Sequence, residues 1–114
     1  MNEKPNFHYE ITYPDFNPSP AINTDIEKYL KKIDSLFDRI ISCHVAVRAP
    51  HKHSRKHIYH INISLEIPGD NIVVYHEPQK NQAHTDIHVA IRDAFRALKK
   101  QLIDRIELMK AHNA

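Results

Sequence analysis

Apolar and polar residues alternate one for one at the start of the chain. Phe7, Tyr9, Ile11 and Tyr13 are separated by His8, Glu10 and Thr12. A period of two is that of a strand with one buried face. Pro14, Pro18 and Pro20 then interrupt the alternation, and a different period follows. Ile22, Ile26, Tyr29, Leu30, Ile33, Leu36, Phe37 and Ile40 form a stripe at helical spacing over about five turns. Lys28, Lys31, Lys32 and Ser35 lie on the other side of that helix. Proline is tolerated in a first turn because its missing N–H had no helical partner. Ser19 or Asn17 stands where a cap is needed.

Alternation returns with Cys43, Val45, Val47 and Ala49 against His44, Ala46 and Arg48, a second strand. A basic, histidine-rich turn from Pro50 to Lys56 leads to a third strand, Tyr59, Ile61, Ile63, Leu65 and Ile67. Pro68-Gly69-Asp70-Asn71 has the residues of a tight reversal. Ile72 to His76 forms a fourth strand, and Glu77 to His84 a polar loop. Ile87, Ala90, Ile91, Ala94, Phe95, Leu98 and Leu102 then mark a second amphipathic helix, with Thr85 or Asp86 as its cap. Arg92, Arg96 and Lys99, spaced by four and three, stack along its outer side.

The order β-α-β-β-β-α predicts an α+β domain of two layers, a four-stranded, mostly antiparallel sheet with two helices on one face. With 114 residues the chain reads as a single domain, residues 1–114, with its core from about 7 to 105 and a short tail after it. Composition narrows the chemistry. The single glycine excludes a glycine-rich phosphate loop. The single cysteine, Cys43, excludes an internal disulfide, sits in an apolar alternation, and fits a reducing cytoplasm. No apolar run approaches membrane-spanning length, and the first residues hold no apolar signal segment. No small-molecule substrate is indicated. The formal net charge of +2 is too small to imply nucleic acid, but its distribution says more. His44 to His60 contains no acid, four of the cations and five of the ten histidines.

The order of elements and the residues of both helices resemble the ribosome-associated inhibitor and hibernation-promoting factor family, also called sigma-54 modulation proteins. In the second helix the pattern of an Asp, then apolar-x-x-Ala-Ile, then Leu-x-[Arg/Lys]-Gln-Leu is met by Asp86, Ile87, Ala90, Ile91, Leu98, Lys100, Gln101 and Leu102. In the first it is met by Pro20-Ala21-Ile22, Ile26, Leu30, Lys32 and Ile33. The resemblance runs from Phe7 to about Arg105. It implies a β-α-β-β-β-α fold like that of double-stranded-RNA-binding domains. It also implies a stationary-phase or stress factor that binds the small ribosomal subunit and its 16S-type rRNA near the decoding centre, in the path of mRNA and tRNA. Lys32 and Lys100 are the cations carried over by match. The chain departs from the pattern at Ala97 and Asp104, where the family usually has Lys, and in a longer loop from Glu77 to Thr85. The short tail after the second helix leaves no room for the dimerisation domain of long members.

Three candidate sites follow. The first is a basic face of Lys28, Lys31, Lys32, Arg92, Arg96, Lys99 and Lys100, expected on one outer surface because both helices cover the same sheet face. Each cation near a phosphate would release a counterion. The second is the segment His51-Lys52-His53-Ser54-Arg55-Lys56-His57, read as a basic finger in which Lys52, Arg55 and Lys56 meet RNA phosphate. Its alternative is a metal site of His51, His53 and His57, disfavoured by the absence of Cys or carboxylate partners and by the neighbouring cations. No cofactor is expected. The third is an open sheet edge, which would allow a homodimer. No nucleophile–base or paired-carboxylate spacing supports an enzyme. A divergent interaction module with this fold is the remaining alternative, with the Glu77 to Thr85 loop as its contact.

Overall fold

The computed structural model describes residues 4–49, 59–76 and 86–112. The elements are β1 (His8–Thr12), α1 (Pro20–Leu36), β2 (Ser42–Arg48), β3 (His60–Ile67), β4 (Asp70–His76) and α2 (Ile87–His112). The sheet order is β1-β2-β3-β4. β1 runs parallel to β2, with Tyr9 opposite Cys43 and Ile11 opposite Val45. β2–β3 and β3–β4 are antiparallel. Parallel neighbours need a crossover rather than a hairpin, and α1 supplies it. The architecture is the α+β one expected from the periodicities.

One face of the sheet carries Cys43, Val45, Val47, Ile61, Ile63, Leu65, Ile67, Ile72 and Val74, all buried. Against it lie Ile22, Ile26, Leu30 and Ile33 of α1 and Ile87, Ala90, Ile91, Ala94, Phe95, Leu98 and Leu102 of α2. At about 25 cal/mol per Å² of apolar area removed from water, this shared burial is the main force holding the two layers together. Two tyrosines of the β1 region add polar ties to α1. The Tyr9 hydroxyl donates to Glu27, and the Tyr13 hydroxyl donates to Asn23 Oδ1 at 3.2 Å.

Strand ends differ from the periodic reading by a residue or so, and four departures are larger or more informative. α1 stops at Leu36, because Phe37 adopts extended backbone (φ −152°, ψ 123°). Phe37 and Ile40 keep their side chains against the core from non-helical backbone, which is why they extended the apparent stripe. Ser19 is the N-cap residue of α1 but makes no side-chain capping bond; Pro20 opens the helix instead. The β3–β4 reversal is shorter than the four residues expected. Ile67 pairs directly with Asp70, so only Pro68 and Gly69 turn the chain, and Gly69 takes φ 78°. That left-handed conformation follows a proline, as a two-residue turn with φ > 0 at its second position requires. Finally, α2 continues to His112, beyond the core end expected near Arg105, and Ile106 and Met109 pack against the core. Among the described residues, no helix is long and apolar enough to cross a membrane.

Candidate nucleic-acid interface between the helices

α2 begins where Asp86 caps it. The Asp86 carboxylate accepts the His88 N–H at 2.9 Å, and its carbonyl accepts the Ala90 N–H at 3.1 Å. This fixes where the helix begins. Ile87, Ala90, Ile91, Ala94, Phe95, Leu98 and Leu102 face inward, and Arg96 and Lys99 stand exposed. Two contacts tie α2 to α1. The rings of Tyr29 and Phe95 stack with centroids 5.2 Å apart and planes 13° from parallel. His88 Nδ1 lies 2.8 Å from Asp25 Oδ2.

Between the helices runs an open groove of about 390 Å³, lined by Tyr29, Lys32, Ile33, Leu36, Arg92, Phe95, Arg96 and Lys99. Its floor is the Tyr29–Phe95 stack, and its walls carry four cations and no carboxylate. Lys32 Nζ sits over the Tyr29 ring, 5.3 Å from the centroid, an attraction of about 0.5–1 kcal/mol at an exposed site. Arg92 donates through Nε to Asp93 Oδ1 at 3.1 Å, which orients its guanidinium and offsets part of its charge. A concave surface with converging positive charge on an aromatic floor suits phosphate oxygens of a folded polyanion.

The predicted basic residues thus divide. Lys32, Arg92, Arg96 and Lys99 come together in the groove. Lys28 and Lys31 are exposed on α1, and Lys100 on α2, outside its lining. The expected single face of seven cations is therefore a groove of four with three outliers: Lys31 and Lys100 each point about 100° round the helix from Lys32 and Lys99, and Lys28 lies one turn before Lys32, beyond the lining. Asp104 is exposed, whereas Ala97 is half-buried against the core. Lys52, Arg55 and Lys56, the metal alternative His51, His53 and His57, and the Glu77 to Thr85 loop lie outside the described residues. Among the described residues, no group of three potential ligands could hold a metal ion. The aromatic floor went unread in the sequence. Tyr29 and Phe95 each fit the apolar stripe of their own helix, and nothing in either stripe says that they meet.

A profile of the sigma 54 modulation protein / S30EA ribosomal protein family matches residues 9–110. No curated protein sequence is significantly similar to the chain. Among solved structures, a ribosomal subunit interface protein from Coxiella burnetii is similar, at 21% identity and a TM-score of 0.71, over 88% of this chain and 98% of that one. The N-terminal domain of Protein Y from Thermus thermophilus is similar at 20% identity and a TM-score of 0.62, over 86% and 93%. At these identities the two structures speak to the fold. The profile spans nearly the whole chain, including both helices that build the groove. The chain belongs to the sigma-54 modulation protein / S30EA ribosomal protein family, a non-enzymatic, ribosome-associated family of hibernation proteins.

Proposed function

We propose that this protein binds the small ribosomal subunit in the decoding region and silences it by occupying the path of mRNA and tRNA. The observation that carries the reading is the gathering of Lys32, Arg92, Arg96 and Lys99 in one groove with no carboxylate in its lining. Folded rRNA presents a rigid array of phosphates, and cations held on two packed helices meet such an array without any ordering of their backbone. Recognition is then by charge and shape, as is usual for structured RNA. The remaining cations, Lys28, Lys31 and Lys100, lie on the same two helices and extend the positive potential beyond the groove. The basic segment with Lys52, Arg55 and Lys56 supplies a further contact to rRNA.

Co-sedimentation with purified small subunits at two salt concentrations tests the reading. The unchanged protein sediments with the subunits at low salt and progressively less as salt rises. The triple variant Arg92→Glu, Arg96→Glu, Lys99→Glu stays in the supernatant while melting near the temperature of the unchanged protein, since these are surface changes. Undiminished sedimentation of that variant removes the groove from the interface. Addition of the protein to a programmed translation reaction reports occlusion separately: mRNA and tRNA binding falls as the protein occupies the subunits.

A further inference from the structure

The sheet face turned away from the helices carries its own pattern. The strand register sets its side chains in rows across the sheet. One row is His8, Ser42, Glu66 and Asn71, and the next is Glu10, His44, Ser64 and Val73. Then come Thr12, Ala46, Asn62 and Tyr75, and last Arg48 with His60. Both carboxylates of the strand face, Glu10 and Glu66, fall in the first two rows. The last two rows hold a cation, an imidazole, an amide and a tyrosine, and no acid.

Tyr75 is 58% exposed and Val73 beside it 63%, a large apolar exposure for one strand. The Tyr75 ring lies nearly parallel to that of His60, centroids 6.3 Å apart and planes 22° from parallel. Arg48, opposite His60 in the ladder, is exposed. Asn62, opposite Tyr75, is half-buried, and its buried amide oxygen has no hydrogen-bond partner among the described residues.

We propose that this end of the open sheet face is a second nucleic-acid site, on which an unpaired base of single-stranded RNA stacks on Tyr75 and His60 while Arg48 meets its phosphate. RNA as the polyanion rests on the ribosome-associated family; the site itself does not rest on the groove, which lies on the other side of the sheet. A flat sheet presenting aromatic rings beside a cation is a general solution for single strands, because every base has a face to stack while its backbone carries charge. A second copy of this chain suits the surface less well. With the two-fold axis through this end of the face, the Arg48 side chains of the two copies come near each other, while Glu10 and Glu66 lie two and three rows away.

The test is fluorescence anisotropy of a short labelled oligouridine with the full chain at low salt. The unchanged protein binds it. Tyr75→Ala weakens binding about ten-fold or more, the usual loss when one stacked base is abandoned. Tyr75→Phe binds as the unchanged protein does, because the ring rather than the hydroxyl stacks. The groove variant Arg92→Glu, Arg96→Glu keeps the stacking contribution, so its own Tyr75→Ala derivative shows the same fold-loss; this separates the site from the groove. Equal affinity of Tyr75→Ala and the unchanged protein overturns the proposal, as does absence of oligouridine binding. A dimer in sedimentation equilibrium that Tyr75→Ala converts to monomer also overturns it, by giving the face to a second copy.

Discussion

Cys43 is buried on the core face of β2, and burial alone pushes its thiol up to about 12. The nucleophilic thiolate is then nearly absent at neutral pH. Iodoacetamide should leave Cys43 unlabelled in the folded protein and label it fully in denaturant; fast labelling of the native state would contradict the packing. Tyr9 is raised to about 12 first by its hydrogen bond to Glu27, then by burial, then by the Glu27 charge. Tyr13 is raised by burial and then by Glu27. In each case the fold favours the neutral group. For Tyr9 the stability this contributes is fully present below the ordinary value of 10.0 and is lost as pH rises toward 12; for Tyr13 the loss begins from the same 10.0, and for Cys43 from 9.0. Urea midpoints should therefore fall from pH 10 to 12, and fall less in Tyr9→Phe, with the remaining decline due to Tyr13 and Cys43. The burial of Cys43 was legible from its place in the alternation. The Tyr9–Glu27 bond was not, because its partners are 18 residues apart on different elements.

At the scale of elements, the helices were found from their stripes and misjudged at their ends. A stripe records which side chains reach the core, not whether the backbone between them is helical. Phe37 and Ile40 reach it from non-helical chain, so α1 read too long. α2 read too short because Ile106 and Met109 touch the core only partly while Ile103 and Leu108 are exposed, which blurs the stripe in the last turns. Leu98 and Leu108 make the contrast measurable. Leu98 is wholly buried, and Leu98→Ala should cost about 2–5 kcal/mol in chemical denaturation. Leu108 is 58% exposed, and Leu108→Ala should change stability by no more than about 0.5 kcal/mol. β4 shows a different ambiguity. Ile72 to Tyr75 is a continuous apolar run, which periodicity alone cannot assign to faces. The register puts Ile72 and Val74 inside and Val73 and Tyr75 outside.

On the scale of the whole molecule, two polar contacts join distant parts of the chain. Arg105, on α2, forms an ion pair with Asp70 at the start of β4, and His88 meets Asp25 across the two helices. An exposed ion pair such as Arg105–Asp70 contributes about 0.2–1 kcal/mol, so it adjusts the packing of α2 rather than causes it. The groove between the helices has the larger consequence. If its cations contact rRNA, the logarithm of affinity for small subunits falls linearly with the logarithm of salt. Arg96→Ala should then lower that slope by about one and weaken binding, while Lys28→Ala, outside the groove lining, should change the slope less. Equal slopes for both would spread the contact evenly along the helices instead of concentrating it in the groove.

Taken alone, the order of apolar and polar residues determined the succession of strands and helices, the composition of the core, and the two helical patterns that resemble the family. These are local properties, set by periods of two and 3.6 and by the turn residues between them. Only the tertiary structure decided which residues of different elements meet. It paired β1 with β2 in parallel, laid Tyr29 on Phe95, and gathered Lys32 with Arg92, Arg96 and Lys99 while leaving Lys28, Lys31 and Lys100 aside. It also set Tyr75 on an open face beside His60 and Arg48. The reason is physical: side-chain direction within an element follows from its own period, but the rotation and register of one element against another follow from the packing of the whole core.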